Sequence, residues 1–105
     1  MKYKILQLDR AIVTNRDLFF ADFDWLKQNH LSVQRCNYRE VCQGTIPATG
    51  TPTGILEKLY LMFNLNIPED YHGHSMSVSD VVILDDGTKE TAYYCDSCGF
   101  EEICF

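Results

Sequence analysis

The hydrophobic and polar positions change their period along the chain, and each change marks an element. Residues 3–8, YKILQL, form a short apolar run without helical caps, which predicts a buried strand. In residues 22–30, DFDWLKQNH, Asp22 is placed to cap a first turn, and Phe23, Trp25 and Leu26 give a helix its apolar face. Residues 37–46, NYREVCQGTI, set Tyr38, Val41 and Ile46 among polar neighbours and predict a second strand. PATGTPTG, 47–54, is a loop by composition, with Thr51 or Thr53 able to cap the next element. In residues 55–64, ILEKLYLMFN, the residues Ile55, Leu56, Leu59, Tyr60 and Phe63 make a stripe at helical spacing, ended by Asn66 and Pro68. VVIL (81–84), TAYYCD (91–96) and FEEICF (100–105) then read as three strands, the first two joined by a turn at Asp85-Asp86-Gly87. The order β-α-β-α-β-β-β predicts an α+β fold: a mostly antiparallel sheet of about five strands with two helices.

Length and composition narrow this picture. At 105 residues the chain is too short for two cores, so 1–105 reads as a single domain. A hydrophobic content of 46% is ample for a packed interior. No apolar run approaches the ~20 residues of a membrane span, and MKYKILQLDR has neither a long apolar core nor a cleavage site. A cytoplasmic protein with no membrane partner is expected. The cysteine count of five is odd and comes without a secretion signal, which favours reduced thiols over a disulfide framework.

Charge changes the picture more. Residues 1–58 carry eight Lys/Arg and six Asp/Glu, a net of +2; residues 59–105 carry one base, Lys89, and nine acids, a net of −8. An acidic half repels nucleic-acid phosphates, so no direct nucleic-acid binding is expected. It attracts basic protein surfaces, or else it serves only solubility.

The stretch DYHGHSMSVSDVVILDD, 70–86, concentrates the candidate chemistry. Ser75, Ser77 and Ser79 alternate with Met76 and Val78, the period of an extended segment, and Ser79-Asp80 suggests a fixed bend into the next strand. A serine nucleophile would want a G-x-S-x-G elbow and a paired base, and the sequence offers neither. His72, His74, Cys95 and Cys98 form a chemically allowed zinc set. Against it, H-x-H is tighter than the common spacing and the pairs come in reverse order. The C-x2-C pair lies between two strands rather than at a helix start, which is wrong for a redox motif. The preferred reading is architecture: buried thiols, no catalytic residue, no cofactor.

Several pieces together resemble one family over nearly the whole chain. YKILQL near the start, RDLFF at 16–20, PED at 68–70, GHSMSVSDVVIL at 73–84 and AYYCDSCGFEEI at 92–103 are similar to the YodL-like domain. The resemblance implies a setting in Firmicutes mobile elements, where such domains occur alone or within large phage and transposon proteins, and it brings no established enzyme activity. Cys95 and Cys98 stand where the family usually has apolar residues, which speaks further against zinc.

Resemblance and charge together lead to an expected function: a small acidic mobile-element protein that inhibits a host defence nuclease, in the manner of an anti-CRISPR protein acting on a type II RNA-guided nuclease. The expected partner is that nuclease or its guide-RNA complex, met by Asp80, Asp85, Asp86, Glu90, Asp96, Glu101 and Glu102, all in the last three strands or their turns. The alternatives are a non-inhibitory adaptor of a mobile element and, further off, the zinc domain of His72, His74, Cys95 and Cys98.

Overall fold

The computed structural model describes residues 1–47, 50–65, 76–97 and 99–105. Five strands and two helices alternate as the hydrophobic pattern predicts: β1 Lys2–Leu8, α1 Phe23–Gln28, β2 Tyr38–Thr45, α2 Pro52–Leu65, β3 Val81–Asp85, β4 Glu90–Asp96 and β5 Gly99–Ile103. Short 3-10 turns at Val13–Asp17 and Arg35–Asn37 are additions that the pattern does not announce. The strands form one antiparallel sheet in the order β2-β1-β3-β4-β5. The fold is α+β.

Both faces of the sheet are covered, which explains why successive residues are buried over Ile5–Leu8 of β1 and Val81–Leu84 of β3. One face meets α2: Tyr3, Ile5, Val82 and Leu84 pack with Ile55, Leu56, Leu59 and Phe63. The other meets α1: Leu6, Val81, Ile83, Ala92 and Tyr94 pack with Leu26, and Phe23, Tyr38 and Phe105 close the margin. In β2 the register against β1 slips between Ile5 and Leu6. This bulge turns the successive residues Val41 and Cys42 into the same core, so Cys42 is buried where strict alternation would have exposed it.

Helix boundaries reflect local chemistry. Asp22 accepts the Trp25 N–H at 2.7 Å and caps α1. The helix stops at Gln28, short of the expected residue 30, because His30 is left-handed (φ 55°). The Leu31 N–H then closes back onto the Leu26 carbonyl. On this short helix only Leu26 is fully buried; Trp25 remains 37% exposed, contrary to the apolar face expected for it. Helix α2 starts at Pro52, three residues earlier than expected, because Thr51 accepts the Gly54 N–H at 3.1 Å and proline suits the first helical position. Tyr60, placed in the stripe by spacing, lies on its exposed margin. Asn66 and Pro68, expected to end this helix, lie outside the described residues.

Candidate functional site

The two ends of the sheet differ in character. At one end, where Leu8, Val81 and Asp96 lie, a buried polar group joins four segments. The chain bends at residues 77–80, with the Asp80 N–H donating to the Ser77 carbonyl. This is a turn rather than the extended segment that the serine alternation suggests, and the bend expected at Ser79-Asp80 is present. Ser79 is left-handed (φ 85°), and all its polar groups are engaged. Its N–H donates to the Cys95 carbonyl, its carbonyl accepts the Tyr38 hydroxyl at 2.6 Å, and its Oγ accepts the Phe20 N–H. Such over-determination is what holds a strained backbone in place. These bonds give Ser79 a structural task at the bend.

Asp80 is 1% exposed. Its Oδ2 accepts from Gln7 Nε2 and from the Ser77 N–H, both at 3.0 Å. Burial nonetheless dominates and pushes its carboxyl up to about 7. Burial also raises the Tyr38 and Tyr94 hydroxyls well above their ordinary range and pushes the Cys95 thiol up to about 12. The Tyr94 hydroxyl donates to the Ala21 carbonyl, and the Phe23 N–H donates to Asp96 Oδ1. Cys95 is thus a protonated, buried thiol, as expected of a structural cysteine. His72, His74 and Cys98 lie outside the described residues.

The seven acids do not form one patch. Asp80 is interior and cannot touch a partner, because its carboxylate anchors the bend; it does not belong to the surface set in which it was expected. Asp96 is half-buried and bonded to the Phe23 and Ser97 N–H groups. At the opposite end of the sheet, Asp85 Oδ1 accepts the Gly87 N–H at 2.8 Å. Asp86 Oδ1 accepts the Thr88 N–H, the Thr88 hydroxyl and the Lys89 N–H. The Thr88 hydroxyl, and after it those two N–H groups, pull Asp86 down to about 2, so it stays charged. Both aspartates therefore also build the β3–β4 turn.

Glu90, Glu101 and Glu102 remain: exposed, and without a hydrogen bond among the described residues. Glu90 pairs with Asp85 across the strands, and Asp85 with Lys2 on its other side. Glu102 lies opposite Tyr93 on the α2 face, and Glu101 opposite Tyr94 on the α1 face. A shallow cleft of about 440 Å³ brings Glu90 and Glu102 to one border with Lys89 and Arg35. The free acidity therefore lies on both faces at the β4–β5 side of the sheet, beside Lys89 and Arg35. Sequence reading missed Gln7, Tyr38 and the backbone at 20–23 as partners of the bend; the one signal was a glutamine inside the apolar run of β1.

These features define a class first: a small α+β domain whose buried polar residues serve a bend and whose unengaged charge sits along one sheet edge. The sequence model of the YodL-like domain matches residues 2–105, and the chain belongs to that family. Comparison with curated proteins and with solved structures gives no match. Among the described residues no cluster of three metal-ligating side chains occurs, and no helix is long and apolar enough to cross a membrane.

Proposed function

We propose that this protein works by contact: as a small acidic protein of a mobile element, it binds a host RNA-guided nuclease of type II and inhibits it. The observation that carries the reading is the trio Glu90, Glu101 and Glu102, exposed carboxylates without a hydrogen bond among the described residues. Every other acid of the expected set holds a turn or a bend. An RNA-guided nuclease keeps its heteroduplex in a positively charged channel, a surface that free carboxylates suit. Attraction between the two would speed encounter and fix orientation. Membership of the YodL-like family supports the mobile-element setting, which the resemblance of its motifs implies. Of the serine-rich stretch, Ser77 and Ser79 lie in a bend in which Ser79 has a structural task, which supports a contact function.

The test is capture of the tagged protein with bound partners from a lysate of the bacterial host, and then a DNA-cleavage assay with the purified nuclease. Recovery of the nuclease, with cleavage falling as inhibitor is added, supports the reading. Recovery of another element-encoded protein, with cleavage untouched, would replace inhibition by the adaptor role.

A further inference from the structure

We propose that β5 is a docking edge at which an extended, lysine- or arginine-bearing segment of a protein partner adds as a sixth strand. This inference rests on the contact function just proposed and specifies its surface. Strand β5 ends the sheet, and among the described residues no strand pairs with its outer side. Alternate residues of Gly99–Ile103 therefore turn N–H and C=O groups outward, the template for strand addition.

The side chains specify what can add. Glu101 and Glu102 project to opposite faces, each beside an apolar seat. On the α2 face, Phe100 meets the Tyr60 ring at 6.4 Å and, with Leu61 and Val78, walls a groove of about 450 Å³. On the α1 face, Ile103 is half-buried against the second core. A second copy of this chain is a poor occupant, because antiparallel self-pairing about the middle of β5 sets Glu101 against Glu101 or Glu102 against Glu102 of the copy, and like charges directly opposite destabilise a sheet. Two neighbouring basic residues flanked by apolar ones fit instead: valine opposite Ile103, bases opposite Glu102 and Glu101, valine opposite Phe100. The other sheet edge, β2, offers no such discrimination, since its neighbouring charges Arg39 and Glu40 are of opposite sign. Charged edges commonly guard against aggregation. Here the glutamates close the edge to like strands and leave it open to basic ones.

The test uses the full chain, isotopically labelled, with the blocked peptide Thr-Val-Lys-Lys-Val-Thr as probe. Expected are spectral shifts centred on residues 99–103 and at least tenfold slower exchange of the outward amides there. The peptide with both lysines replaced by glutamate should leave the spectrum unchanged. In E101K/E102K, with its fold confirmed by its amide spectrum, the preference should invert; E101Q/E102Q should bind neither peptide selectively. Shifts confined to β2 or α2, no shifts at all, or equal binding of a peptide methylated at alternate backbone nitrogens would overturn strand addition. Failure of the unaltered protein to bind or inhibit any nuclease, with peptide addition at β5 intact, sinks the functional reading and leaves the docking edge standing.

Discussion

Asp80 gives the protein a stability that should fall as pH rises, the reverse of ordinary acid denaturation. Its carboxyl titrates near 3.8 when exposed in the unfolded chain and at about 7 in the fold, because burial opposes its charged form. Between those values the native state holds a proton that the unfolded state has released, so each pH unit there costs about 1.4 kcal/mol of stability. The contribution is fully present below about pH 4, declines through the interval, and is gone above the folded value. From pH 5 to pH 8 the Asp80 term should thus remove about 3 kcal/mol, a large share of the 5–15 kcal/mol typical of a domain. Urea unfolding of the wild type and of Asp80→Asn at intervals over that range isolates it. Asparagine keeps one acceptor oxygen for Gln7 and the Ser77 N–H but cannot ionise, and all other titrating groups are common to both proteins. The stability difference, wild type minus variant, should decline across the range and level off above it. Parallel profiles, or a difference that grows with pH, would refute the desolvation argument.

Three further outcomes rest on packing and backbone geometry. Phe63→Ala should cost about 3–5 kcal/mol in chemical denaturation, since the ring is fully buried and meets Tyr3 edge-on at 5.9 Å; an unchanged midpoint would mean that α2 does not pack where described. Gly44→Ala should cost about 1–3 kcal/mol, because a Cβ there would come within 2.6 Å of the Tyr3 hydroxyl on the paired strand; a neutral result would show that the ring moves freely. His30→Gly should raise stability by about 0.5–1 kcal/mol by relieving the left-handed backbone after α1; a loss would point to a role for the imidazole.

How far the sequence carried the fold depended on how local each cause is. Short apolar runs and helical spacing located the strands and helices of the described residues, since β1 and β3 are buried on both faces and α2 carries an apolar stripe. The bulge at Val41-Cys42 was illegible, because it depends on the register with β1. Trp25 misled because α1 covers the sheet with only one fully buried residue. For the site, the acidity of the second half was countable but its placement was not. Asp80 and Glu102 look alike in sequence; one lies beneath the sheet end bonded to Gln7, 73 positions away, and the other stands on the edge. The bend at Ser79 could be read from its residues, whereas its partners Tyr38 and Phe20 come from distant segments.

The central claim, that exposed carboxylates around β4–β5 make the functional contact, is tested most directly by the affinity of the captured nuclease for two charge-reversed variants. Glu90, Glu101 and Glu102 are changed to lysine in one; Asp17, Asp24 and Glu40, equally exposed but far along the chain, in the other. Both spare the acids that hold caps and turns, so both should fold with wild-type spectra. Contact through the edge predicts a loss of at least tenfold, about 1.4 kcal/mol or more, for the first variant and little change for the second, with wild-type binding weakening as salt is raised. Equal losses in both, or undiminished binding by the first, would contradict it.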